Sequence, residues 1–220
     1  MLRWRRTYSS RHIAAGPLGR DWSCWANARC TRDGDTLTYH RPDGQVAVLR
    51  AGEGILTGLR YVAGGELVAL GFIGSLPVIG WPVHVATGCV QAVATMANGD
   101  FDLNHIARNF ANGPTTTFGL GLGLIGGAHL SYDKKTGMWV AAGSSTGYKR
   151  AGTAYGSTFV TGSDAPGERT LRHESIHAEQ YARFGGGAIF PILYLWEEHN
   201  HPGRDNEYEQ EAGLEDGGYR

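Results

Sequence analysis

Residues 173–177 read His-Glu-Ser-Ile-His, within the run Arg169-Thr-Leu-Arg-His-Glu-Ser-Ile-His-Ala-Glu-Gln-Tyr-Ala-Arg-Phe184. Two histidines four positions apart stand one above the other on a helix face, so both imidazoles can reach one ion. Glu174 then falls beside that ion, where it can take a proton from water. This arrangement needs a helix. Residues 169–184 contain neither proline nor glycine and include several strong helix formers. Ser163, Asp164 and Pro166 are start signals, and Gly185-Gly186-Gly187 is a stop. The spacing predicts a zinc site with His173 and His177 as ligands and Glu174 as general base. The same five-residue pattern also occurs on ordinary surface helices, so its surroundings carry the weight.

Catalytic zinc takes three protein ligands and keeps a fourth position for water. A third histidine six residues past the second, with a glycine between, is excluded, because Arg183 and Gln180 occupy those positions. A glutamate from a later helix is the other common solution. Asn206-Glu207-Tyr208-Glu209-Gln210-Glu211-Ala212-Gly213 supplies it on a helix expected from Asn206 to Asp216. Successive helical positions differ by about 100°, so Glu209 and Glu211 cannot face the same ion. Ala212 shares a face with Glu209 and would let the two helices approach closely. That selects Glu209 as third ligand, with Glu211 and His201 as alternatives. The competing reading makes Asn206 an N-cap and Glu209 the third residue of a capping box. His199 and His201 lie in Glu197-Glu198-His199-Asn200-His201-Pro202, which reads as a solvated loop. Tyr194, Tyr208 and His199 are candidate donors to a transition-state oxyanion.

The Glu209/Ala212 spacing resembles the glutamate helix of the gluzincins, although Gly213 stands where that family often has Asp or Asn. The likeness covers about the last seventy residues. It runs through a short strand (Gly156–Gly162), His173–Gln180, an apolar Phe190–Trp196 stretch and the Asn-x-x-Glu-x-Glu-Ala segment. This order is similar to small metallopeptidase domains of bacterial polymorphic toxins and other secreted effectors. Their motif usually has a glutamine three residues past the second histidine, matched by Gln180. Residues 212–219 (Ala-Gly-Leu-Glu-Asp-Gly-Gly-Tyr) share that likeness without an assignable role. The resemblance implies a zincin-like α+β fold, zinc-dependent peptide-bond hydrolysis and a protein or peptide substrate. A non-catalytic zincin-fold module and a membrane-acting protein remain open as alternatives.

The chain of 220 residues carries a formal charge of −1, so no global field favours nucleic acid. Arg3, Arg5, Arg6, Arg11 and Arg20 occur without acids and read as a solvated tail, with a basic arm touching a partner as the alternative. No apolar core follows it, so a standard secretory signal is not expected, and the location reads as cytoplasmic or exported by a specialised system. Cys24, Cys30 and Cys89 do not form a disulfide framework and read as reduced thiols.

Glycine is abundant, at 34 residues, more than twice the average of about 7%. Residues 31–50 contain two Asp-Gly signals between alternating segments and predict a β-hairpin. Leu67 to Gly99 is uncharged but interrupted by Gly71, Gly74, Pro77, Gly80, Pro82 and Gly88. It predicts a helix or helical hairpin buried against the protein, with membrane contact as the alternative. Gly121-Leu-Gly-Leu-Ile-Gly126 matches a dinucleotide fingerprint, but a hairpin-like sequence follows instead of a helix. A β-meander over about 118–131, 137–147 and 154–161 is the expected reading. The expected organisation is an arm, hairpin and apolar region at 1–114 and a metallopeptidase domain at 115–220. The sequence carries no signal for an oligomeric state.

Overall fold

The computed structural model describes the backbone of residues 6–7, 29–33, 36–40, 46–147 and 152–219, and side chains from residue 57 onward. The chain divides into two compact units, 1–59 and 60–220. In the first, β1 (Arg6–Thr7), β2 (Arg29–Asp33), β3 (Thr36–His40) and β4 (Val46–Arg50) form an antiparallel sheet in sequence order. The expected hairpin at 31–50 is thus three strands. Most of the basic arm, and Cys24, lie outside the described residues.

The second unit is a mixed α/β assembly of the α+β class. The helices α1 (Ala51–Gly74, from residue 60 in this unit), α2 (Trp81–Ala97), α3 (Leu103–Ala111) and α4 (Gly113–Ile125) come first. Strands β5 (His129–Asp133), β6 (Met138–Ala142), β7 (Gly152–Tyr155) and β8 (Thr158–Thr161) follow, then α5 (Glu168–Arg183), α6 (Ile189–Asn200) and α7 (Glu207–Ala212). The compact units divide at 59/60, and within the second α4 packs directly on the later sheet.

The sheet order is β5-β6-β8-β7. β6 and β8 are parallel, while β5–β6 and β7–β8 are antiparallel. This corrects the expected meander. The segment read as one strand at 154–161 is a hairpin, turned at Gly156 with φ +57°. β8 returns between β6 and β7 and leaves β7 as an edge.

Side chains alternate across the strands, so each face of the sheet receives its own helix. Met138, Ala154 and Phe159 pack with Ala178 of α5 on one face. Ala141, Tyr155 and Thr158 face α4 on the other, where a Cβ at Gly123 would lie 2.7 Å from Ala141 Cβ and one at Gly119 2.8 Å from Thr158 Cβ. On its outer side α4 meets α1, and a Cβ at Gly121 would lie 2.6 Å from Gly64 O. The glycine alternation at 119, 121 and 123 looks like strand periodicity. Close approach on both sides makes it a helix, and packing overrides poor intrinsic propensity. The Gly121–Gly126 pattern therefore lies in and just past the end of a helix, not at a strand-to-helix turn.

Residues 67–99 form a hairpin of the α1 end and α2. It buries Gly71, Gly74, Gly80, Thr87, Gly88, Gln91 and Thr95, while Phe72, Ile73, Val78, Ile79, Trp81, Val90 and Val93 are exposed. The expected burial thus holds for the small and polar face only. Among the described residues, no helix is long and apolar enough to cross a membrane.

Candidate metal centre

Helix α5 starts after Gly167 and runs through His173, Glu174 and His177, all three buried. Three contacts fix it against the rest of the unit. Ala178 lies in the core, Asn112 Nδ2 donates to Ala178 O at 2.8 Å, and Arg108 Nη1 donates to Glu179 Oε1 at 2.8 Å. Arg108 is itself anchored to the carbonyls of Thr136 and Gly137. The face bearing the histidines is thereby aimed at α7.

Helix α7 is shorter than expected, ending at Ala212 with Gly213 at φ +92°. Asn206 caps it by accepting from Tyr208 N at 2.9 Å. Glu209 is buried and turned toward the histidines, so the capping-box reading of its side chain does not describe it. Buried Ala212 lies on the same short helix.

His173 Nε2 lies 3.1 Å from His177 Nε2 and 3.1 Å from Glu209 Oε2, and His177 Nε2 lies 3.4 Å from Glu209 Oε1. A tetrahedral ion with bonds of about 2.0–2.1 Å separates its ligands by about 3.3–3.4 Å, so the triangle fits such an ion. The outer nitrogens agree. His173 Nδ1 faces Gly213 O at 3.1 Å, and His177 Nδ1 faces Gln180 Oε1 at 2.8 Å. With both Nδ1 atoms donating, both Nε2 lone pairs point inward, the tautomer a metal ligand requires. Glu209 Oε2 is buried and, despite its short contact, has no directed hydrogen bond. These three residues are a group that can hold a metal ion.

The electrostatics also favour a cation. Burial opposes the charge of Glu209, yet contact with the His173 and His177 imidazoles and the hydrogen bond from Tyr194 hold its carboxyl far below the ordinary range. Burial also disfavours the His173 cation, but Glu209 and Glu174 raise its pKa above the usual value. Glu174 behaves differently. Burial raises its carboxyl above the ordinary value, against the opposing pull of His177 and His173 and a hydrogen bond from the Ala154 backbone.

These groups line a cavity of about 490 Å³. Its walls include the edge strand β7 (Gly152–Tyr155) and, from α6, Phe190, Pro191, Tyr194 and Leu195. Tyr194 donates to Glu209 Oε1 at 2.5 Å and meets the His177 ring edge-on. Tyr208 packs among Phe184, Phe190 and Tyr194 and does not line this cavity. Glu211 turns away, pairing with Arg183 and accepting from Gln180 Nε2 at 3.0 Å. His199 is exposed in the last turn of α6 rather than in a loop, and His201 pairs with Glu197 at 2.9 Å. Neither joins the group. Two further residues reach it that the sequence reading gave no role. A Cβ at Gly217 would lie 2.6 Å from His173 Cε1, so its backbone touches that ring, and Tyr219 lines the cavity. The local signals were the glycine-rich run at 213–218 and the unassigned likeness of residues 212–219.

Residues 1–49 match a family described as a domain of unknown function, DUF6531. That match ends well before the candidate metal-binding group. No curated protein and no solved structure matches the chain.

Proposed function

We propose that residues 60–220 are a zinc-dependent peptidase of the zincin-like, gluzincin type, acting on a protein or peptide, with a secreted toxin or effector as its setting. One observation carries this reading. Two inward-facing histidine nitrogens and a buried glutamate converge beside a second buried glutamate, in a cavity flanked by a β-edge. The donor set of two imidazoles, one carboxylate and an open side is the catalytic zinc pattern. The edge of β7 suits an extended peptide, which can add to it as a further strand.

When bound, the metal supplies a Lewis acid that polarises a carbonyl and lowers the pKa of water. His173, His177 and Glu209 hold it. Glu174, whose carboxyl is raised by burial, suits both halves of a proton relay. It takes a proton from water as the water oxygen adds to the scissile carbonyl carbon. It then delivers that proton to the amide nitrogen as the C–N bond breaks.

The test is metal content and turnover together. Wild type is expected to hold one zinc per chain, and His173→Ala or His177→Ala to lose stoichiometric binding. Glu174→Gln is expected to keep the metal and lose about 10²–10⁴ in rate. Wild type without zinc after exposure to it, or undiminished hydrolysis by Glu174→Gln, would refute the reading.

A further inference from the structure

Residues 75–80 join α1 to α2, within a stretch from Leu67 to Gly99 that holds no Asp, Glu, Lys or Arg. The large side chains of this turn point outward. Val78 is 89% exposed, Ile79 75% and Trp81 68%, with Phe72 and Ile73 exposed just before them. Single exposed apolar residues are ordinary, but a cluster of them marks a contact surface. Val78 has φ +67°, a region that β-branched residues enter only under strain. Glycine or asparagine would make the same reversal more cheaply. The apex therefore presents an apolar side chain where local chemistry favours a polar one.

The backbone of the turn is bonded from within. Ser75 N donates to Gly71 O at 3.1 Å, Leu76 N to Ile73 O at 3.1 Å, Ile79 N to Pro77 O at 2.8 Å, Gly80 N to Leu76 O at 3.2 Å and Trp81 N to Val78 O at 3.4 Å. Pro77 has no N–H to place, which leaves that of Val78 as the exception. Ser75 Oγ also turns inward, donating to Gly71 O at 2.8 Å. The turn is fastened to the body where Ala188 N donates to Ser75 O at 3.4 Å. Helix α6 begins at that point. Its exposed Ile189, Ile192 and Trp196 are three and four positions apart, so they form an outward apolar stripe.

We propose that the α1–α2 turn inserts into the interfacial layer of a zwitterionic lipid bilayer and docks residues 60–220 on it without spanning it. Hydrocarbon excludes charge, and the turn and both helical arms beside it carry none from Leu67 to Gly99. Hydrocarbon also offers no hydrogen bonds, so inserted backbone has to satisfy itself, as this turn does. Tryptophan favours the headgroup level, and Trp81 stands three residues behind the apex at the start of α2. A protein partner would instead meet a polar, hydrogen-bonding rim around an apolar centre, which this turn does not offer. The docking involves no metal and goes beyond the peptidase reading.

The experiment floats the full chain with phosphatidylcholine vesicles, at low salt and at about 1 M salt, where charges are screened within about 3 Å. Wild type is expected to float in both, and equally with a metal chelator present. Val78→Asp is expected to weaken binding about tenfold or more. Aspartate tolerates positive φ, and circular dichroism verifies that the variant is folded. Leu103→Asp, on an exposed residue at the far end of α2, should bind as wild type does. A second measurement uses phosphatidylcholine brominated on its acyl chains, which quenches nearby indoles. Wild-type fluorescence should fall, and that of Trp81→Phe should fall clearly less. This comparison decides the matter if Val78→Asp does not fold. Wild type that stays with the unbound protein would overturn the proposal. So would binding that needs anionic phosphatidylglycerol and vanishes in salt, or folded Val78→Asp that floats like wild type. A dimer seen by light scattering and lost in Val78→Asp, without flotation of wild type, would give the surface to a second copy instead and overturn it too.

Discussion

Replacing Glu209, Gln180 and Glu211 in turn by alanine should produce a graded loss of zinc affinity if zinc binds as proposed, because the three carboxylate and amide groups stand at successive removes from the histidine nitrogens. In the proposed zinc site Glu209 would contribute a ligand oxygen, 3.1 and 3.4 Å from the two histidine nitrogens. Its loss leaves two ligands and should exceed the roughly 10–100-fold effect typical of an outer partner. Gln180 is fully buried and accepts from His177 Nδ1 at 2.8 Å. It fixes the tautomer and tilt of one ligand, so its removal should cost about 10–100-fold. Glu211 acts one step further out, accepting from Gln180 Nε2 and from exposed Arg183. An exposed ion pair is worth about 0.2–1 kcal/mol, so the expected loss is at most about fivefold. Competition with a chromogenic chelator at neutral pH measures all three, with circular dichroism to verify that each variant is folded. A Glu211→Ala loss as large as that of Glu209→Ala would refute the reasoning. So would a Gln180→Ala protein with unchanged affinity.

The remaining expectations concern stability. Gly64→Ala puts a Cβ 2.8 Å from Gly121 O, whereas Gly65→Ala meets nothing within 4 Å. The first should cost about 1–3 kcal/mol by overpacking, the second should gain about 0.5–1 kcal/mol, and urea midpoints in the reverse order would show that α1 does not pack on α4 as described. Burial opposes ionisation of Asp100, but hydrogen bonds from Tyr132, the Asp102 backbone and His105 outweigh it and lower its pKa. A depressed carboxyl stabilises above its unfolded value of about 3.9 and loses that contribution as pH falls through the folded value. Wild type should therefore lose more stability than Asp100→Asn on going from neutral pH to below about pH 3.9, and equal acid sensitivity in chemical denaturation would contradict this. Free zinc at about 100 times its dissociation constant should add about 2.7 kcal/mol to wild type and nothing to His173→Ala, with chelator reversing the gain. A thermal shift shared by both proteins would place the binding elsewhere.

What could be read in the residue order is the part governed by local chemistry. A proline-free, glycine-free run with histidines four apart specifies its own helix and its own face, and α5 begins and ends within a residue of the expectation. The choice of Glu209 over Glu211 follows from helical angle together with small Ala212 on the face of Glu209, and the observed directions of the two side chains agree with it. Asn206 likewise acts as the cap its residue type suggests. Where the reading went astray, the deciding forces came from residues far away in sequence. Residues 113–125 alternate glycine like a strand, but contact with α1 on one side and the sheet on the other selects a helix that needs those glycines for closeness. Strand order depends on which edges pair after collapse, and the parallel β6–β8 ladder joins residues about twenty apart across an intervening hairpin strand. The Asp100, His105 and Tyr132 triad joins an α2–α3 turn, a helix and a strand, and no spacing announces it. The same holds for Tyr219. Its neighbours in sequence are glycines and acids, and it reaches the cavity because Asp216 is held by two arginines of α5 and because Gly217 has no side chain to keep the backbone off His173. Local propensity and periodicity describe one element at a time, whereas a metal site is a meeting of elements, and that meeting is set by packing.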